Sequence, residues 1–269
     1  MRTVVKMIDK KEFLLQSIIK AYIEHLEPIG STQLKSMYDI TYSPATIRGY
    51  FKKLGDEGYL AQEHISSGRT PTTEALKQYW QTKLNFKLKG INLRALEYFA
   101  SNIGLSVFIK KEKSDILKNI LNVENRYMIL EFSSFAISVK YSDALYRFLN
   151  DMIGLDLKDI TKVSKDVGAY EVYESINQTL QNSDFQIFNY KEFLNLALNY
   201  DFDEYTINSF LKGQILDELK EGLYFDKLLP ANYIGICNYC KINNEDVKML
   251  VIGELPKDYE YFYEKITTF

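Results

Sequence analysis

Apolar residues recur with a helical period near the start of the chain. Between Phe13 and Leu26, the positions Leu15, Ile18, Ile19, Tyr22, Ile23 and Leu26 fall on one stripe, the pattern of an amphipathic helix. Glu27-Pro-Ile-Gly30 breaks it. Ser31 stands where a hydroxyl would cap a short second helix with apolar positions at Leu34, Met37 and Tyr38. Asp39–Tyr42 reads as a turn. Ser43 is placed to cap a third helix, and Pro44 occupies its first turn, where a missing N–H costs nothing. On that helix Ile47, Phe51 and Leu54 recur at i, i+4 and i+7 and are expected to face the first two helices. At about 100° per residue, Ala45, Thr46, Gly49, Lys52 and Lys53 point the other way, with Arg48 on the flank. Gly58 ends the helix. Tyr59–His64 alternates as a strand, Ser66-Ser67-Gly68 turns the chain, and Pro71 leads into a helix over Thr73–Trp80.

Beyond Lys89 the pattern changes. Helices are predicted over Leu93–Leu105, Asp115–Leu121, 143–153, 169–181, 190–199 and 204–221. Tyr127–Phe132 and Phe135–Tyr141 read as a hairpin. Tyr233–Ile242 and Val247–Gly253 form a second strand pair, joined by the turn-forming run Asn243-Asn244-Glu245-Asp246. A terminal helix follows Pro256. Strands and helices interleaved in this way predict an α+β domain.

The net charge of -3 conceals an asymmetry. Residues 1–90 carry 14 Lys+Arg against 9 Asp+Glu, a balance of +5; residues 91–269 carry 19 against 27, a balance of -8. A DNA-facing module joined to an acidic, partner-facing or dimerising module fits that split. No apolar run approaches the ~20 residues of a membrane span, and no signal-peptide core precedes Lys10-Lys11-Glu12, so a cytoplasmic protein with reduced thiols is expected.

Catalytic chemistry finds little support. The two histidines are His25 and His64, and their absence from residues 91–269 removes Ser-His-Asp and Cys-His catalysis from the larger part. Cys237-Asn-Tyr-Cys240 has C-x-x-C spacing, but zinc needs four ligands, so both thiols are read as core. Neither a phosphate-binding nor a dinucleotide-binding glycine motif occurs. The expectation is a protein that is not an enzyme and has no cofactor.

A basic helix followed by a small β-ribbon is the arrangement with which a winged helix grips DNA. Thr46, Gly49, Lys52 and Lys53 would face the major groove, and Arg48 on the flank would reach phosphate. A glycine inside a helix costs roughly 1 kcal/mol relative to alanine. Gly49 is therefore either neutral or a point of close approach to the groove. Arg69, beside Gly68 at the ribbon turn, is assigned to phosphate or the minor groove. Ser31 and Ser43 would cap helices and offer hydroxyls to phosphate, and His64, Ser67 and Arg69 would form the wing.

Three stretches carry a resemblance: Glu27-Pro-Ile-Gly-Ser31, Ser43-Pro-Ala-Thr-Ile-Arg48 and Ser67-Gly-Arg-Thr-Pro-Thr72. In order and spacing they resemble signature stretches of the bacterial heat-inducible transcription repressors, the HrcA family. Val251-Ile-Gly253 followed by Asp258-Tyr259 resembles the family's closing pattern. Where the family commonly has Asn-Asp after Thr-Ile-Arg, this chain has Gly49-Tyr50, and its middle is shorter than usual. The resemblance implies an α+β fold: an N-terminal winged helix-turn-helix domain over 1–89, then a GAF-like α+β regulatory and dimerisation domain over 90–269. A short inserted dimerisation segment is expected within 142–200. It further implies a homodimer on double-stranded DNA at an inverted-repeat operator, repressing chaperone operons, with the GroE chaperonin as modulator. The candidate DNA-binding set is Ser31, Thr32, Ser43, Thr46, Arg48, Gly49, Tyr50, Lys52, Lys53, His64, Ser67 and Arg69. The rival reading is a small-molecule sensor whose C-terminal domain binds a ligand among the Tyr and Phe residues of 127–141 and 233–252.

Overall fold

The computed structural model describes residues 9–64, 67–84, 88, 90–111, 115–181 and 185–268. Ser66 of the expected turn lies outside the described residues. The chain divides into two compact units: Met1–Ile109 with Gln186–Asn244 and Lys248–Phe269, and Lys110–Phe185 with Glu245–Val247.

The first unit opens with helices α1 (Lys10–His25), α2 (Ser31–Met37) and α3 (Pro44–Asp56). Their apolar faces meet in one cluster, in which Leu14, Ile18, Ile29, Leu34, Ile47 and Leu54 are fully buried. The inward stripe of α1 is rotated slightly from the expected one. Leu14 is sealed inside, while Leu15 and Tyr22 are only half-buried at its edge. Ser31 is not the cap of α2 as expected: it is the first helical residue and is buried. Gly30 takes the cap position instead, and its N–H donates to Gln33 Oε1 at 3.2 Å.

Strand β1 (Leu60–Ala61) pairs antiparallel with β2 (Thr70–Pro71), a much shorter ribbon than Tyr59–His64 suggests. Helix α4 (Thr73–Lys83) follows, its first turn capped by Thr72 Oγ1 accepting from Ala75 N at 3.3 Å. Trp80 on α4 is wholly buried and donates its indole N–H to Leu255 O at 2.7 Å. Tyr79 and Tyr259 stand edge-on to its ring, with centroids 5.0 and 5.1 Å away. Lys77 adds an ion pair to Asp226 at 2.6 Å.

The chain continues through β3 (Gly90–Ile91), α5 (Leu93–Ile103) and β4 (Ser106–Lys111). The second unit then supplies β5 (Leu117–Val123), β6 (Tyr127–Phe132), β7 (Ala136–Lys140), α6 (Asp143–Asn150), α7 (Leu157–Asp166) and α8 (Tyr170–Gln181). After β8 (Phe185–Phe188) come α9 (Tyr190–Asn199), α10 (Glu204–Leu211), α11 (Ile215–Glu218) and β9 (Gly222–Tyr224). The chain closes with β10 (Tyr233–Ile242), β11 (Glu245–Glu254), α12 (Tyr259–Ile266) and β12 (Thr267–Thr268).

A seven-stranded sheet runs in the order β12-β3-β10-β11-β4-β8, with β9 also paired to β10. Residues Ile234–Asn238 of β10 and Val247–Gly253 of β11 are buried without alternation, so both sheet faces are covered. The turn between them is Asn243-Asn244, with φ of 51° and 68°. Two successive left-handed residues match the twist of a two-residue hairpin, and asparagine tolerates that conformation. Gly253 has a steric reason: a Cβ there would lie 2.7 Å from the Tyr259 hydroxyl, which donates to Glu254 O at 2.9 Å. Cys237 and Cys240 are buried on β10, and burial pushes their thiols up to about 11 and about 12.

The second unit packs a three-stranded antiparallel sheet, β5-β6-β7, with α6, α7 and α8 around its own core. Asp115–Leu121, expected as a helix, holds β5 instead. Its register shifts between Leu117 and Asn119. That bulge brings Leu117 and Ile120 onto one buried side, so a strand imitates helical i, i+3 spacing. Asp115 anchors the start of β5. Its carboxylate accepts from Ser133 N at 2.6 Å, Ser134 N at 3.0 Å and Ser134 Oγ at 2.6 Å. The single helix expected over 204–221 is two, α10 and α11, parted at Gly213 with φ +69°. Helix α7, in a stretch without an expected element, is capped by Asp156, whose carboxylate accepts from Lys158 N at 2.9 Å. Among the described residues no helix is long and apolar enough to cross a membrane, and no cluster of His, Cys, Asp and Glu could hold a metal ion.

Candidate nucleic-acid interface

Helix α3 is fixed at its start and along one side. Ser43 Oγ accepts from Thr46 N at 3.1 Å and lies 2.9 Å from Thr46 Oγ1, which caps the first turn. Ile47, Phe51 and Leu54 are buried against α1 and α2. With one face held, the other is determined: Ala45, Thr46, Arg48, Gly49, Lys52 and Lys53 are all exposed. Tyr50 is half-buried at the core edge, and the Lys53 ammonium stands 5.7 Å from its ring centroid. Another cation of this region is directed away from that face: Lys11 pairs with Glu57 at 2.8 Å and ties α1 to the end of α3.

Arg48 connects α3 to α2. Its Nη1 donates to Ser31 Oγ at 3.3 Å, so the buried Ser31 orients the guanidinium by accepting from it. Thr32, in the first turn of α2, is exposed. This Ser31–Arg48 link has no signature in sequence spacing, because the two residues lie on different helices.

In the ribbon, His64 is exposed. Ser67 is used internally: its hydroxyl donates to His64 O at 2.7 Å and accepts from His64 N at 3.1 Å, holding the turn closed. Arg69 was expected at the tip of the turn. Its backbone instead adjoins Thr70 at the turn-side end of β2, where it forms an antiparallel bridge with Ile29. Ile29 N donates to Arg69 O, and Arg69 N donates to Ile29 O, each at 2.9 Å. Gly68 permits this approach, because a Cβ there would lie 2.6 Å from backbone atoms of Pro28 and Ile29.

The aromatic residues singled out for a ligand pocket belong to two units, those of 127–141 to the second and Tyr233 and Tyr239 to the first. Phe132 stacks on Phe135 at 4.7 Å, with Phe132 in the core of the second unit. Tyr233 and Ile252 line a cavity of about 190 Å³ in the first unit, together with Ser106, Glu192, Asn199 and Lys257.

Residues 80–269 match the family described as the HrcA C-terminal domain. Proteins named heat-inducible transcription repressor HrcA from two strains of Helicobacter pylori are each 31% identical over 264 residues, covering 97% of this chain and 95% of their own. A solved structure described as that of a hypothetical protein is 19% identical, covers 98% of this chain and 97% of its own, and has a TM-score of 0.49.

Proposed function

The chain belongs to the HrcA family, and from that premise we propose that it is a repressor of heat-shock (chaperone) operons that binds an inverted-repeat operator as a homodimer. Residues 1–89 act as a winged helix-turn-helix, with α2 and α3 as its helical pair and β1–β2 as the wing. One observation carries the assignment. The face of α3 opposite its buried stripe presents Thr46, Gly49, Lys52 and Lys53 together, with no core to cover them. Such a face can enter a major groove, with the lysines close to phosphate. Arg48, held by Ser31, and Thr32 contact the backbone at the start of α2. Tyr50 supports Lys53. Ser43 sets the helix N-terminus, which favours phosphate by its dipole. His64 and Arg69 extend from the ribbon, whose turn Ser67 closes.

Residues 90–269 serve as a GAF-like regulatory and dimerisation domain, with the inserted segment within 142–200 in contact with the second copy. A two-fold protein requires a two-fold operator. The GroE chaperonin sets the active fraction of a cytoplasmic repressor that carries no cofactor and catalyses no reaction.

Capture of sheared genomic DNA by the purified protein tests this reading. The captured fragments should share an inverted repeat upstream of chaperone operons, and added chaperonin should raise their yield. Recovery of fragments with no common sequence would overturn it.

A further inference from the structure

Among the described residues nothing requires Gly49 to be glycine. It lies in the middle of α3 and is exposed. Among the described residues a Cβ built there meets no atom within 4 Å, and its φ is not in the left-handed region. Gly68 and Gly253 differ, because a side chain at either would collide with neighbouring atoms. At position 49 an alanine would favour the helix, since glycine loses more backbone freedom on folding. No described residue accounts for the bare position, which leaves room for a reason outside the chain.

Its surroundings say what could fill the space. Residues three and four apart adjoin on a helix surface. Gly49 thus lies between Ala45 and Thr46 on one side and Lys52 and Lys53 on the other, all exposed. Ala45 and Gly49 together present at most one methyl group, a shallow notch with neither side-chain donor nor acceptor. The lysines flank its C-terminal end. On the reading of α3 as the groove-facing helix, we infer that this notch receives the C5-methyl group of a thymine. The match is steric and apolar: thymine is the base whose major-groove edge carries a methyl group, and small apolar side chains are its usual contacts. Gly49 then governs sequence discrimination, whereas Lys52 and Lys53 contribute to affinity on any duplex.

The variant Gly49→Ala separates this from a structural role. With full-length protein, the captured inverted repeat and a scrambled duplex of equal length are compared by fluorescence anisotropy. The variant should melt roughly 2–4 °C higher than wild type. It should bind the repeat about tenfold more weakly, within the range of one mismatched base pair, and the scrambled duplex within about twofold. Replacing thymine by deoxyuracil, one position per half-site at a time, should cost the wild type roughly fourfold at one position, the worth of one methyl group. Gly49→Ala should be insensitive there. A variant that keeps wild-type discrimination, or that melts lower, overturns the inference, as does a wild type indifferent to every deoxyuracil. A wild type that does not distinguish repeat from scrambled duplex overturns the repressor reading itself.

Discussion

Gly68→Ala tests how the ribbon is fastened. The new Cβ would lie 2.6 Å from the carbonyl carbons of Ile29 and Pro28 and from Pro28 O. Backbone atoms cannot rotate away as a side-chain end can, so the strand pair must part. Parting breaks the two hydrogen bonds of 2.9 Å between Ile29 and Arg69. Each contributes about 0.5–1.5 kcal/mol net. Retaining them would force an overpacked contact costing about 1–3 kcal/mol. The two are alternative relaxations, so the expected loss is about 1–3 kcal/mol, centred on the Ile29–Arg69 bridge. Hydrogen exchange read by peptide mass spectrometry locates it. Protection of the Ile29 and Arg69 amides should fall roughly 5- to 150-fold, at about 1.4 kcal/mol per decade. Amides of β10 should keep their wild-type rates. Unchanged protection at Ile29 and Arg69 would refute the reasoning.

Other consequences follow from single groups. Lys53→Ala should weaken binding to all duplexes and lower the salt slope by about one unit; an unchanged slope removes Lys53 from the phosphate contacts. Burial alone would raise the Asp115 carboxyl, but hydrogen bonds from Ser134 and then Ser133 outweigh it and hold the group below the usual carboxylate range. A depressed folded pKa contributes stability above the ordinary value of 3.8 and loses it as pH falls toward the folded value. Wild-type melting should therefore drop on acidification below that value, and Asp115→Asn should flatten the dependence; parallel curves would contradict the assignment. Burial holds the Cys237 and Cys240 thiols near 11 and 12. Iodoacetamide at pH 8 should label them slowly in the folded protein and rapidly in urea, and fast labelling of the folded protein would show that β10 is not closed over.

Legibility in the sequence followed the range of the forces. The third helix was readable because its cap, its Pro44 and its buried Ile47, Phe51 and Leu54 all act within one or two turns. The turn expected over Asn243-Asn244-Glu245-Asp246 is readable for the same reason at its first two residues, whose left-handed backbone is their own property, whereas Glu245 and Asp246 already belong to β11. Local rules failed where a distant partner decides. Ser31 has the chemistry of a cap, but Arg48 draws its hydroxyl inward from another helix. Arg69 looked like the tip of a turn because its partner, Ile29, lies forty residues earlier in the chain. In β5 a bulge gave a strand the spacing of a helix. Strands β3 and β12 are two residues long, too short for any period to register, and they exist through pairing with each other and, for β3, with β10. The exposed face of α3 is readable as a face; the notch at Gly49 depends on the three-dimensional fact that no other described residue occupies that space.

The most direct test is fluorescence anisotropy of wild-type protein at near-physiological salt, on the captured inverted repeat and on a scrambled duplex. Specific binding predicts at least ~10³-fold tighter association with the repeat, as a regulator requires. Equal, weak binding to both duplexes would contradict the assignment of α3 and the ribbon as a sequence-reading surface.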